Sequence, residues 1–165
     1  MRVFPKQNSV LVGVFAAALF VAVVPSLADD QPPARDTIFA RKTVMGAIDM
    51  NMDEIETMLA PEGKLELADA REHAEVISTL LMAFPHLFPA STNQWKQDAV
   101  RDPATDTFAN PAIWSNFADF YKRATEASKI AWQAAGAKRP EDFRPLIKEL
   151  RVRCNGCHAL NLKPE

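Results

Sequence analysis

The only two cysteines of this 165-residue chain stand close to its C-terminus, in the pattern Cys154-x-x-Cys157-His158. Just upstream, Phe143, Leu146, Ile147 and Leu150 recur at helical spacing after Pro140, a residue suited to a first helical turn. Extending that line by four residues and then three lands on Cys154 and Cys157. Side chains at i and i+3 lie nearly above one another on a helix, so both thiols face one object in the interior against which this helix packs. His158 projects about 100° further around the same helix. The C-terminal helix must therefore border a space that two sulfurs and an imidazole share.

The rest of the chain offers helices to enclose such a space and no strand-like alternation. Ile38, Met45, Ile48, Met52, Ile55 and Leu59 form one stripe over about 35–59, closed by Pro61 and Gly63. Leu67, Ala70, Ala74, Ile77, Leu81 and Phe84 form a second, over about 65–83. Pro85 and Pro89 then open a long connection over 85–110, in which 93–100 has the character of a short helix; such length implies that it covers one end of a core. A third helix is predicted from near Pro111, capped by Asn110 and stopped by Gly136, with Ile113, Phe117, Phe120, Ala124, Ala127, Ala131 and Ala134 as its stripe. Its alanine-rich end allows close approach of a neighbouring backbone, while its aromatic start lines something wider. The fourth helix, which carries the cysteines, is predicted from near Pro140, one position after Arg139. The expected fold is all-α, a four-helix bundle.

Location follows from the first 28 residues. Arg2 and Lys6 precede an uncharged, almost wholly apolar run over 10–24, and Ser26-Leu27-Ala28 ends in small residues. This is the layout of a secretory signal peptide cut after Ala28, and the run is short for a membrane span of about 20 residues. An exported domain over 29–165 is expected, and no later apolar run is long enough to cross a bilayer. Removing the leader takes away two of the 19 basic residues and none of the 21 acidic ones, so the net charge moves from −2 to −4. A mildly acidic domain has no electrostatic attraction to nucleic acid or anionic lipid.

Four uses compete for the two thiols. A redox disulfide of the thioredoxin kind belongs at the start of a helix in a strand-helix fold, which is absent here. A zinc site needs a fourth ligand, and His73 and His86 have no zinc-type spacing. Two unrelated core cysteines are the plainest use. The fourth use is covalent haem: C-x-x-C-H is the c-type attachment signature, with thioethers to the vinyl groups and the histidine on iron. Export and an all-helical domain agree with it, so one haem c per chain is expected, held by Cys154 and Cys157 and ligated by His158.

With these residues in view, the chain resembles the class II cytochromes c, the cytochrome c-prime family. The likeness covers nearly the whole exported region. It rests on the C-terminal C-x-x-C-H, on "RKTVM" at 41–45, on "FPHLFP" at 84–89 and on "IWSNF" at 113–117. One departure is Asn161, where the family often has an aromatic residue three positions after the haem histidine. The resemblance implies an antiparallel up-down-up-down order, with the haem at the end shared by the start of helix one, the end of helix two and the start of helix three. Trp114 and Phe117, with Phe120, are then expected to contact the macrocycle. Arg41 is expected either to meet a haem propionate or distal ligand or to remain a solvated charge.

The distal position decides the function. Met45 lies on the core stripe at the implied haem end, whereas Met50 is off the stripe, Met52 is two turns deeper, Met58 is at the far end and Met82 is beside its stripe. Methionine is also a good filler of irregular core gaps. His86, in the turn after helix two, is the rival ligand; His73 is expected on the surface. If Met45 binds iron, as the resemblance implies for low-spin members, the protein carries one electron to and from redox partner proteins and is not an enzyme. The alternative is a five-coordinate haem that binds nitric oxide or carbon monoxide. Peroxidase chemistry lacks a distal histidine-arginine pair. The resemblance also implies a periplasmic protein, possible as a homodimer.

Overall fold

Helices α1 (Ala34–Leu59) and α2 (Leu67–Ala83) open the fold in this computed structural model, which describes residues 32–97 and 107–163. A one-turn helix α3 (Ala112–Ser115) precedes the long helices α4 (Phe117–Ala135) and α5 (Pro140–Asn161). The signal peptide expected over 1–28 lies outside the described residues. Pro32–Glu165 forms one compact unit. Among the described residues no helix is long and apolar enough to cross a membrane.

The turn after α1 is tight enough to demand glycine: a Cβ on Gly63 would sit 2.8 Å from the Met58 carbonyl oxygen. α2 is the central helix, packed on α1 and α4, and α4 packs in turn on α5. The α2–α4 contact is made by Ala70, Ala74, Ala127, Ala131 and Ala134, all buried, as the alanine-rich stripe predicts. Small side chains bring the backbones close enough for reciprocal bonding: Ser78 Oγ donates to the Ser128 carbonyl at 2.9 Å, and Ser128 Oγ to the Ser78 carbonyl at 2.8 Å. Such pairing satisfies hydroxyls that would otherwise be costly to bury. α1 and α5, the remaining neighbours around the bundle, do not close on each other in this way. They are braced across the gap by Arg151, whose guanidinium donates to both Glu56 carboxylate oxygens at 2.6 and 2.7 Å.

Two expectations about α3 and the connection are corrected. The third helix does not run unbroken from Pro111, because Asn116 leaves helical geometry (φ −132°, ψ 48°) and starts α4. Asparagine competes well for non-helical backbone. The break frees Trp114 to donate its indole N–H to the Phe88 and Pro89 carbonyls at 3.0 and 3.1 Å. Of the short helix expected over 93–100, residues 93–97 are not helical and the rest lie outside the described residues. Among the described residues of this region the helical turns are instead two 3₁₀ turns, Phe84–Leu87 and Ala90–Thr92.

The connection does cover one end of the core. Phe84, Phe88, Ala109, Ile113 and Phe120 make a second apolar cluster there, and Val44 and Met45 pack against both this cluster and the main bundle core. The end of the chain pins the connection down. Ala109 and Leu162 form an isolated antiparallel bridge, Asn110 N donates to the Asn161 carbonyl at 2.8 Å, and Lys163 N donates to the Phe108 carbonyl at 2.7 Å.

Candidate haem site

The gap between α1 and α5 is a cavity of about 360 Å³. α1 lines it with Met45, Ile48 and Met52, and α5 with Cys154, Cys157 and His158. The two cysteines follow from the stripe: Phe143, Ile147 and Leu150 are buried in the bundle, and the same face continues past Leu150 into the open slot, with His158 the next residue around the helix. A second cavity of about 180 Å³ adjoins it toward the covered end. The two share Lys42, Met45, Phe84, Phe120, Cys157 and His158. A slot with apolar walls, bordered by a C-x-x-C pair, a solvent-exposed imidazole and a methionine, offers a donor set that fits a covalently held haem.

Both cysteines are half-buried free thiols. Burial pushes each thiol pKa up, which keeps both protonated at neutral pH. Asn161 stands one turn beyond Cys157; its amide donates to the Cys157 carbonyl at 3.0 Å and lies 3.5 Å from Cys157 Sγ. So the position where the family often has an aromatic residue carries a polar one that contacts the cysteine from the C-terminal side.

The other candidate residues fall into two groups. Met45 is half-buried and borders both cavities. Arg41 borders the smaller one, but it is not a solvated charge: it is 3% exposed. Its guanidinium donates to Thr92 Oγ1 at 3.0 Å and to Thr107 Oγ1, and lies 4.7 Å from the Phe88 ring centroid and 5.7 Å from that of Trp114. Burial pushes its pKa down to about 10, which still leaves it charged at neutral pH. Trp114 and Phe117, by contrast, border neither cavity. Trp114 is drawn to the Phe88–Pro89 carbonyls, and Phe117, first residue of α4 after the Asn116 break, is 38% exposed. Phe120 takes the place expected of them.

His86 is exposed, edge-on to Tyr121 at 5.9 Å, and away from both cavities. His73 is half-buried rather than a plain surface residue, with Nδ1 2.7 Å from Asn51 Oδ1 on α1. Met50 and Met82 are exposed, and Met52 is buried on the wall of the larger cavity. Sequence reasoning missed Arg123 and Arg151, which also line that cavity. Spacing could have found them, since Arg151 precedes Cys154 by three residues and Arg123 follows Phe120 by three.

Comparisons with known proteins point the same way. A sequence-family model described as Cytochrome C' matches residues 36–160. A cytochrome c-556 from Agrobacterium fabrum is 29% identical over 121 residues, which covers 72% of this chain and 75% of that protein. Among solved structures, cytochrome c prime from Shewanella frigidimarina superposes with a TM-score of 0.68 at 23% identity, covering 81% of this chain and 98% of that one. The nitric oxide complex of a mutant cytochrome c prime from Alcaligenes xylosoxidans superposes with a TM-score of 0.66 at 17% identity, covering 79% and 97%.

Proposed function

We propose that this chain, which belongs to the cytochrome c′ family and is a haem c cytochrome, binds a small neutral gas such as nitric oxide or carbon monoxide on the Met45 side of a five-coordinate iron. The observation that carries this reading is the packing of Met45. It touches both apolar clusters and joins the bundle core to the covered end, which suits an apolar cover over the open face of the site. The nitric oxide complex of the Alcaligenes protein supports the same reading. Bound haem supplies an iron able to take a diatomic ligand or to exchange one electron. The chain's own residues do the rest. Cys154 and Cys157 anchor the group, His158 holds the metal from α5, and Phe84 and Phe120 keep water from the Met45 side.

A second reading is a one-electron carrier in which Met45 is the sixth ligand, the iron stays low-spin and redox partner proteins dock outside. The observation in its favour is that Met45 borders both cavities that His158 borders. In neither reading is a substrate transformed. Export to the periplasm after removal of residues 1–28, and assembly as a homodimer, belong to the same proposal.

Visible spectra of the purified holoprotein, ferrous, with and without carbon monoxide, decide between them. A broad high-spin spectrum that shifts on adding the gas is expected. A sharp, split spectrum that ignores it would give the function to electron transfer.

A further inference from the structure

Thr107 Oγ1 is a junction. It accepts a hydrogen bond from the Arg41 guanidinium and another, at 3.1 Å, from the Ala109 backbone N–H. Ala109 is in turn bridged to Leu162, one turn after His158 on the chain. Thr107, Ala109 and Leu162 all line the smaller cavity together with Met45 and His158. Arg41 sits one helical turn before Met45, so the two share a side of α1. A single path of bonds thus joins the helix that carries Met45, the wall of the cavity and the chain just past the iron-binding histidine.

The guanidinium is placed for holding rather than for meeting solvent. A buried cation is costly unless its donors are met. Here the fork spans two points of one connection, Thr92 and Thr107, while its flat face lies against Phe88 and Trp114. The planar, multiply donating shape of arginine suits this, and lysine's point charge does not. This cluster is assembled from residues 41, 88, 92, 107 and 114. No local motif would bring them together.

We propose that Arg41 is a positioning residue for the gas-binding side of the site: by clamping Thr107 and the Ala109 wall against α1, it limits access to the space beside Met45. The inference rests on the reading of that side as a gas-binding face. The test uses the full-length ferrous holoprotein and measures the carbon monoxide association rate by flash photolysis. Variants are Arg41→Lys, which keeps the charge and loses the fork, and Thr107→Val, which keeps the charge in place and removes the acceptor. Ser78→Ala is the control, since it breaks a buried bond that touches neither cavity.

Each of the first two is expected to speed association about tenfold, the effect of losing one charge-assisted hydrogen bond on a local opening. The double variant should be no faster than the quicker single, because both cut one path. Ser78→Ala should lower the melting temperature and leave the rate unchanged. The inference is overturned if Thr107→Val stays within twofold of wild type, because Arg41 would then act through its charge or not at all. It is also overturned if Ser78→Ala speeds association equally, because any loosening would then suffice. If Arg41→Lys does not fold, Thr107→Val decides alone. A wild-type protein that ignores carbon monoxide sinks the gas-binding reading but not the clamp. In that case Thr107→Val should gain a carbon-monoxide-bound fraction, and no gain refutes the clamp too.

Discussion

Met45 is asked to do two things that one substitution can separate. Its side chain packs against two apolar clusters, and the residue borders a cavity also bordered by His158, where its sulfur would be available to iron. Leucine has nearly the same volume and no sulfur, and such swaps cost under about 1.5 kcal/mol. If Met45 only packs, Met45→Leu should leave the ferrous spectrum unchanged and carbon monoxide affinity within about threefold of wild type, a change of under 1 kcal/mol. A sharp low-spin spectrum that turns broad in the leucine variant would show the sulfur on iron instead. Arg41 is the contrasting case. Both residues stand in "RKTVM" and lie on one side of α1, but the role of Arg41 depends on Thr92 and Thr107, which are 51 and 66 residues away. Adjacent sequence therefore shows that Arg41 can turn inward and not what it meets there.

Among the elements, α5 was the most legible, because one periodic line runs from Phe143 to Cys157 and both its burial and its chemistry lie on that line. α3 and α4 were the least. Ile113, Phe117 and Phe120 keep helical spacing straight through Asn116, so apolar pattern alone cannot register the break, and with it went the placement of Trp114 and Phe117. The start of α5 carries a testable acid response. Arg139 precedes the helix and donates to both oxygens of Asp142 at 2.9 and 2.8 Å, which holds the Asp142 carboxyl below its usual pKa. A depressed folded pKa stabilises above the unfolded value, about 3.9, and that stability is lost as pH falls through the folded value. Asp142 also lies in the first turn of α5, where negative charge is favoured. Asp142→Asn should therefore lower the melting temperature slightly at pH 7. The gap between variant and wild type should close as pH is taken down through the lowered pKa of the folded-state carboxyl. A gap that persists undiminished in acid would mean that the carboxylate charge is not its source.

At the scale of the whole molecule, three of the four helix contacts around the bundle are closed by side chains and one is left for the cofactor. α2 meets α1 and α4 through buried apolar residues, and α4 meets α5 in the same way, whereas α1 and α5 are separated by the 360 Å³ slot. At about 24 cal/mol per Å³, a dry void of that size would cost about 9 kcal/mol, comparable with the entire stability of a typical domain. The slot is open to water, which lowers the cost without changing its sign. The apoprotein should thus be weakest where α1 and α5 face each other. Hydrogen exchange on holo- and apoprotein offers the check. Amides of 41–52 and 150–158 should lose protection on haem removal by a factor of at least about one hundred, or about 2.7 kcal/mol. Those of 70–78 and 124–131, locked by alanine packing and the Ser78–Ser128 pair, should lose far less. Equal loss in all four segments would mean that the bundle unfolds as one unit without haem, and that the α2–α4 contact is no independent scaffold for the site.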